Sequence, residues 1–230
     1  MDNKARALPD PRGENYRPNF FELPNPPKVS LAADEYIFQK DIAARRLWFN
    51  VDVEPKTSID SYDSITLIPS DIVHHILQYN RDDEGRPIEK RTPIKLYLNT
   101  YGGDVYEGFS LVDAILTSET PVYTYNMGMC ASMGFMIYIA GHKRFTLPHA
   151  IFVHHEGQTG DYNSTGKFLD VADFVKRHNS EVVKSYVLAQ TKITDKTFTE
   201  HARTEWYMLP EDAIELGVTH HIAKSITDIL

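Results

Sequence analysis

From Tyr36 onward, short apolar runs alternate with amphipathic stretches, and the alternation predicts a chain of strands and helices. Leu47-Trp48-Phe49-Asn50-Val51 reads as a strand, Ser70 to Tyr79 as a helix, and the charged segment Glu84 to Pro93 as a loop. The run Ile94 to Asn99 then leads through Thr100-Tyr101-Gly102-Gly103-Asp104-Val105 into a helix from Tyr106 to Thr117. A second unit of the same kind starts at Val122-Tyr123-Thr124-Tyr125 and passes through Gly128-Met129-Cys130-Ala131-Ser132-Met133-Gly134 into an apolar helix, Phe135 to Ala140. A strand over Ala150 to Gly157, a long helix over Lys167 to Gln190 and a helix start at Pro210 complete the pattern. Repeated strand, glycine turn and helix predict an α/β fold in one domain, residues 31–230. Ahead of it, Pro9, Pro11, Pro18, Pro24, Pro26 and Pro27 remove backbone donors, so residues 1–30 read as a flexible arm or propeptide.

Composition narrows the function classes. The 230 residues carry a formal net charge of -8, with Lys and Arg scattered rather than gathered in a stripe, which argues against a nucleic-acid partner. No apolar run is long enough to span a bilayer, so a membrane span is not expected. The single cysteine, Cys130, has no partner for an internal disulfide, and the start Met1-Asp2-Asn3-Lys4 lacks the apolar stretch of a secretory signal. A cytoplasmic protein is the expectation.

Candidate chemistry lies at the two glycine turns. The Gly102-Gly103 pair allows torsions closed to other residues, so an amide there can be aimed at an oxyanion, although such a pair is more often only a tight turn. Ser132 sits where a strand turns into a helix, a position that suits either a nucleophile or an ordinary N-cap. Cys130 reads as a buried packing residue or a rival nucleophile. A base for Ser132 is available in His154-His155, of which strand alternation lets one face the serine. Glu205, just before the helix start at Pro210, is an acid that could orient the imidazole, or a surface residue. The pairs His74-His75, His154-His155 and His220-His221 lack the companion cysteines or His-x-x-x-His spacing of a zinc site, so no metal and no cofactor are expected.

Taken in order, the Gly-Gly turn, Ala131-Ser132-Met133-Gly134, Leu147-Pro148 followed by histidine, and Glu205-Trp206-Tyr207-Met208 resemble the Clp protease proteolytic subunit over about residues 36–226. Leu98-Asn99-Thr100-Tyr101-Gly102-Gly103-Asp104-Val105 is similar to the family's Ile-Asn-Ser-Pro-Gly-Gly-Ser-Val. The resemblance implies a ClpP/crotonase-like fold of repeated β-β-α units with a protruding handle helix. It also implies a serine endopeptidase with Ser132 as nucleophile, and the amides of Gly103 and Met133 as the oxyanion hole. Counting without a gap from Leu147-Pro148 places His155 on the catalytic position, and a gap of one residue selects His154. The third position is Glu205, where the family carries aspartate. The stretch Gly157 to Asp161 and the long helix after it are similar to the handle through which two rings stack. The resemblance further implies a homo-oligomer of heptameric rings, peptide or unfolded protein substrates, and an AAA+ ATPase unfoldase that supplies the nucleotide site, since no Walker loop occurs in this sequence. Two other classes stay open: a non-catalytic ring subunit of the same fold, and an acyl-CoA enzyme of the crotonase type.

Overall fold

A parallel sheet carries helices on the face where Leu47, Phe49, Leu96 and Leu98 are buried. In a computed structural model of the chain, the described residues are 33–54, 66–157 and 165–230. The proline-rich arm expected over residues 1–30, and most of the loop after Gly157, lie outside them. In order, the elements are α1 (Ala33–Ala43), β1 (Arg46–Phe49), α2 (Pro69–Asp82), β2 (Ile94–Thr100), α3 (Val105–Thr117), β3 (Val122–Ala131), α4 (Met133–Ile139), β4 (Lys143–Thr146) and β5 (Ile151–His154). Then come α5 (Thr165–His178), a π-helical turn (Asn179–Val183), α6 (Lys184–Gln190), α7 (Asp195–His201), β6 (Trp206–Met208), α8 (Pro210–Glu215) and β7 (His221–Ile222). The expected strand, turn and helix units appear near their expected positions. Helices connect parallel neighbours because such strands cannot be joined by a tight hairpin.

The strand order is β1-β2-β3-β4-β7, all parallel, and β3 is the branch point. Its first half, Tyr123 to Asn126, pairs with β4, whereas its second half, Met129 to Ala131, pairs with β5. The sequence pattern marks this strand over Val122 to Tyr125. The strand instead continues to Ala131, helped by a register shift between Leu98 and Thr100 and by the Asn126 side chain, which donates to the Ile151 carbonyl at 3.0 Å. An antiparallel partner, β6, lies on the outer side of β5.

Opposite the helix-covered face, cross-strand partners form an aromatic ladder. Trp48 stacks on Tyr97 at 4.5 Å, Tyr97 meets Tyr125 at 4.9 Å, Tyr125 stacks on Phe145 at 4.8 Å, and Phe145 stacks on His221 at 5.1 Å. Each pair occupies matching register positions on adjacent strands, so the rings follow from the pleat.

The long helix is held to the body by a buried cation. Arg144, 6% exposed, donates to the carbonyls of Ile139, Gln190 and Gly217 at 2.9, 2.8 and 3.1 Å. It therefore joins the ends of α4 and α6 and the turn after α8. Its Nη2 also contacts His220 Nε2 at 2.7 Å; burial, followed by the guanidinium charge, pushes the His220 pKa down to about 4. Replacing Arg144 leaves buried carbonyls without donors, at about 1 to 3 kcal/mol each when water does not reach them. Arg144→Met should therefore lower stability by about 3 kcal/mol, which for a domain of this size is a fall of about 9 °C in Tm by thermal unfolding.

Candidate active site

The site is assembled where the turn after β2 meets the turn after β3. Val53 forms an isolated parallel bridge with Gly103. The Val53 amide donates to the Gly102 carbonyl at 2.7 Å, and the Asp104 amide donates to the Val53 carbonyl at 2.6 Å. This pairing leaves the intervening Gly103 N–H outside the bridge, facing away from Val53. Gly102 has φ 97° and Gly103 φ 141°, values that favour glycine. Space is also required: a Cβ on Gly102 would lie 2.7 Å from the Ser132 Cβ and 2.8 Å from the Met133 nitrogen. One on Gly103 would lie 2.3 Å from the Val53 carbonyl oxygen. The Asp104 carboxylate then caps α3, accepting from the Tyr106 and Glu107 amides at 2.8 and 2.9 Å.

Ser132 follows β3 with φ 53° and ψ -120°, a left-handed backbone that is uncommon outside glycine. Its amide donates to the Val153 carbonyl at 2.9 Å, and its own carbonyl accepts from Phe135 and Met136 at 3.1 and 3.3 Å. Although Ser132 occupies the N-cap position of α4, its side chain makes no capping hydrogen bond. The hydroxyl is left uncommitted among the described residues. Met133 is the first residue of α4, where an N–H has no carbonyl one turn earlier in the helix. The two sequence-selected amide positions, Gly103 and Met133, thus belong to turns in close contact, and both border one cavity with Ser132.

The cavity measures about 340 Å³ and is also lined by His154 and His155. Strand alternation suggested that only one histidine would share a space with the serine; β5 ends at His154, and beyond it the chain turns so that both border the cavity. Their surroundings differ. His154 is 5% exposed, edge-on to Phe135 at 5.4 Å and to Phe198 at 5.1 Å. Burial, then repulsion from His155, pushes its pKa from 6.5 down to about 4. His155 is half-buried, and its Nδ1 lies 2.7 Å from the Glu156 carbonyl oxygen. A carbonyl only accepts, so in the neutral ring Nδ1 carries the proton and Nε2 keeps its lone pair. Neither histidine is hydrogen-bonded to Ser132.

Glu205 is exposed, and its carboxylate accepts from the Tyr207 hydroxyl at 2.6 Å rather than from a histidine. The antiparallel register pairs Val153 with Tyr207 and ends at His154 with Trp206, so His155 directly follows β5 and Glu205 directly precedes β6. Cys130, the rival nucleophile, is fully buried, and burial raises its thiol pKa well above the ordinary range. Val53, Phe109, His178, Asn179 and Phe198 were not singled out from the sequence, although Val53 bridges the glycine turn and the others line the cavity. Among the described residues, no group of three or more His, Cys, Asp or Glu side chains is placed to hold a metal.

His154 makes stability depend on pH with a defined sign. Its folded pKa lies below the unfolded value, so its contribution is full above about pH 6.5 and is lost as pH falls toward about 4, a change of about 3 kcal/mol. Denaturant midpoints measured between pH 7 and pH 4 should fall for the natural chain. The fall should be shallower by that amount for His154→Leu.

The fold agrees with what comparisons with known proteins find. A family model described as Clp protease matches residues 85–225, more than half of the chain. An ATP-dependent Clp protease proteolytic subunit 2 from Treponema denticola is 29% identical over 145 residues, 60% of this chain and 69% of that protein. The subunit of the same name from Nocardia farcinica is 30% identical over 131 residues, 56% of this chain and 64% of that one. The matched segments thus span about two thirds of these relatives. Among solved structures, a ClpP1 mutant from Listeria monocytogenes superposes with a TM-score of 0.66, covering 84% of this chain and 99% of that one at 19% identity, which is a likeness of fold. With the Gly-Gly turn, the uncapped serine and the β3 branch point in place, the chain belongs to the Clp protease family.

Proposed function

We propose that this protein is a serine endopeptidase subunit that cleaves peptide bonds through an acyl-enzyme at Ser132. The observation that carries the reading is the uncommitted Ser132 hydroxyl, which shares a cavity with His155, whose Nε2 holds its lone pair. In the first step Ser132 Oγ attacks the substrate carbonyl carbon while its proton passes to His155 Nε2. The carbonyl oxygen becomes an oxyanion and takes hydrogen bonds from the amides of Gly103 and Met133, each worth about 3 kcal/mol in the transition state. Collapse breaks the C–N bond, and the imidazolium returns its proton to the leaving amine. Water then repeats the sequence on the ester, giving the acid and free Ser132.

His155 is favoured over His154 as the base because His154 is packed between two phenyl rings, whereas His155 has its Nδ1 proton already engaged. Glu205 is assigned to hold that proton in the working state, after release from Tyr207; its position just beyond the last pair of the β5 and β6 ladder, as His155 is on the other strand, supports this. A carboxylate there would stabilise the imidazolium better than the Glu156 carbonyl does. A second reading, a non-catalytic ring subunit, is favoured by that same engagement of Glu205 with Tyr207 at 2.6 Å. The relatives' names include the words ATP-dependent, which supports work with an AAA+ unfoldase feeding unfolded chains, and an oligomer of stacked rings belongs to the same reading. No helix among the described residues is long and apolar enough to cross a membrane, and a cytoplasmic site of action belongs to this reading.

Treatment of the assembled protein with a fluorophosphonate probe should label Ser132 alone, as read by mass spectrometry of the modified peptide. Ser132→Ala should abolish labelling and peptide cleavage, and His155→Ala should lower kcat by about 1,000-fold or more. Glu205→Gln should lower it less than His155→Ala does. Absence of labelling in the natural chain would favour the non-catalytic reading, and labelling that survives in His155→Ala but not in His154→Ala would exchange the roles of the two histidines.

A further inference from the structure

Beyond the reacting groups, the cavity beside Ser132 has a composition of its own. Phe109 of α3, Met136 of α4, Phe174 of α5, Val183 of the π turn and Phe198 of α7 give it apolar walls. Set into one wall are two polar side chains, His178 and Asn179, both half-buried. The His178 ring is fixed between aromatic neighbours, edge-on to Phe109 at 5.6 Å and tilted against Phe174 at 6.0 Å. Neither the His178 imidazole nor the Asn179 amide has a hydrogen-bonding partner among the described residues. Two adjacent polar groups therefore border the same cavity with their bonding capacity unspent.

The π turn explains how one helix brings this set together. At about 100° per residue, Val183 in an unbroken α-helix would lie roughly half a turn around the axis from Phe174. The wider π turn over Asn179–Val183 takes in one extra residue, which resets the phase by about 100°. Phe174, His178, Asn179 and Val183 then line one cavity, and Val187 beyond them is buried in the core.

We infer that this cavity receives the side chain of the residue whose carbonyl Ser132 attacks, and that His178 and Asn179 make it select tyrosine over phenylalanine. The inference rests on the peptidase reading and adds a substrate preference to it. A volume of about 340 Å³ that begins at Ser132 has room for the largest side chains. A phenyl tip would strip water from His178 and Asn179 and return nothing, which is the costly way to bury polar groups. A phenol hydroxyl both donates and accepts, so it satisfies either imidazole tautomer and either end of the amide. Carboxylate or ammonium tips meet the same donors and acceptors but lose more hydration against the apolar walls. Sites that pair with a substrate hydroxyl discriminate against the analogue lacking it, and one hydrogen bond corresponds to about tenfold here.

The test uses the full assembled protein and two fluorogenic peptides that differ only in Tyr or Phe at the residue before the cleaved bond. The expected ratio of kcat/KM is about ten in favour of Tyr. In His178→Phe and in Asn179→Leu the ratio should fall toward one, whatever happens to the absolute rates. Equal cleavage of both peptides by the natural protein, or a Tyr preference that persists in both variants, overturns the inference and leaves the peptidase reading standing. No cleavage of either peptide together with no fluorophosphonate labelling removes the peptidase reading and the pocket assignment with it.

Discussion

A serine held at φ 53° and ψ -120° stands at a backbone cost of about 1 to 3 kcal/mol, and the surrounding structure is arranged to hold it there. Strand β5 accepts its amide through Val153, while the first turn of α4 takes its carbonyl. On the remaining side, Gly102 gives way by having no side chain, and Gly102 is fixed by Val53. Segments from residue 53 to residue 153 thus converge on one torsion. The arrangement resembles a strand-to-helix elbow that lifts a nucleophile out of the sheet without using its hydroxyl as a cap.

That constraint explains why β3 has two sets of partners. A strand that stayed beside β4 along its full length would have no neighbour to accept the Ser132 amide. By pairing with β5 over Met129 to Ala131, β3 delivers Ser132 beside Val153 and the two histidines. Once β5 is in place it offers an outer edge, and β6, which starts one residue after Glu205, occupies it. Helix α7 closes the far side through Phe198 against His154. Most of the site is therefore a consequence of where one strand changes its neighbour.

Periodicity made the strand, glycine turn and helix units legible because their apolar faces and turn residues are local signals. Ser132, Gly103, the His154-His155 pair and Glu205 stood out from residue type and position, and family motifs added Met133 and the choice of His155 over His154. The continuation of β3 past Tyr125 was not legible, because Asn126 and Gly128 look like turn residues until Asn126 is seen bonding to β5. Helix α1 and the short elements β4, α7, β6 and β7 carry too weak a pattern to stand out in a linear reading. The separation of His154 from His155 depends on Phe135 and Phe198, residues far away in sequence. His178 and Asn179 read as ordinary helix positions until the π turn sets their direction. Non-local pairing and helix phase were the missing information in each case.

The chain has two tryptophans, and the fold separates their environments. Trp48 stacks on Tyr97 at one end of the aromatic ladder, whereas Trp206 lies opposite His154 in the sheet and stacks on His201 at 4.1 Å with the rings 9° from parallel. His201 ends α7 and Trp206 begins β6, so the emission of Trp206 reports how that helix sits on the strand, whereas Trp48 reports the aromatic ladder. A single-tryptophan variant retaining Trp206 turns the protein into its own optical sensor of the contact that seats Phe198 against His154.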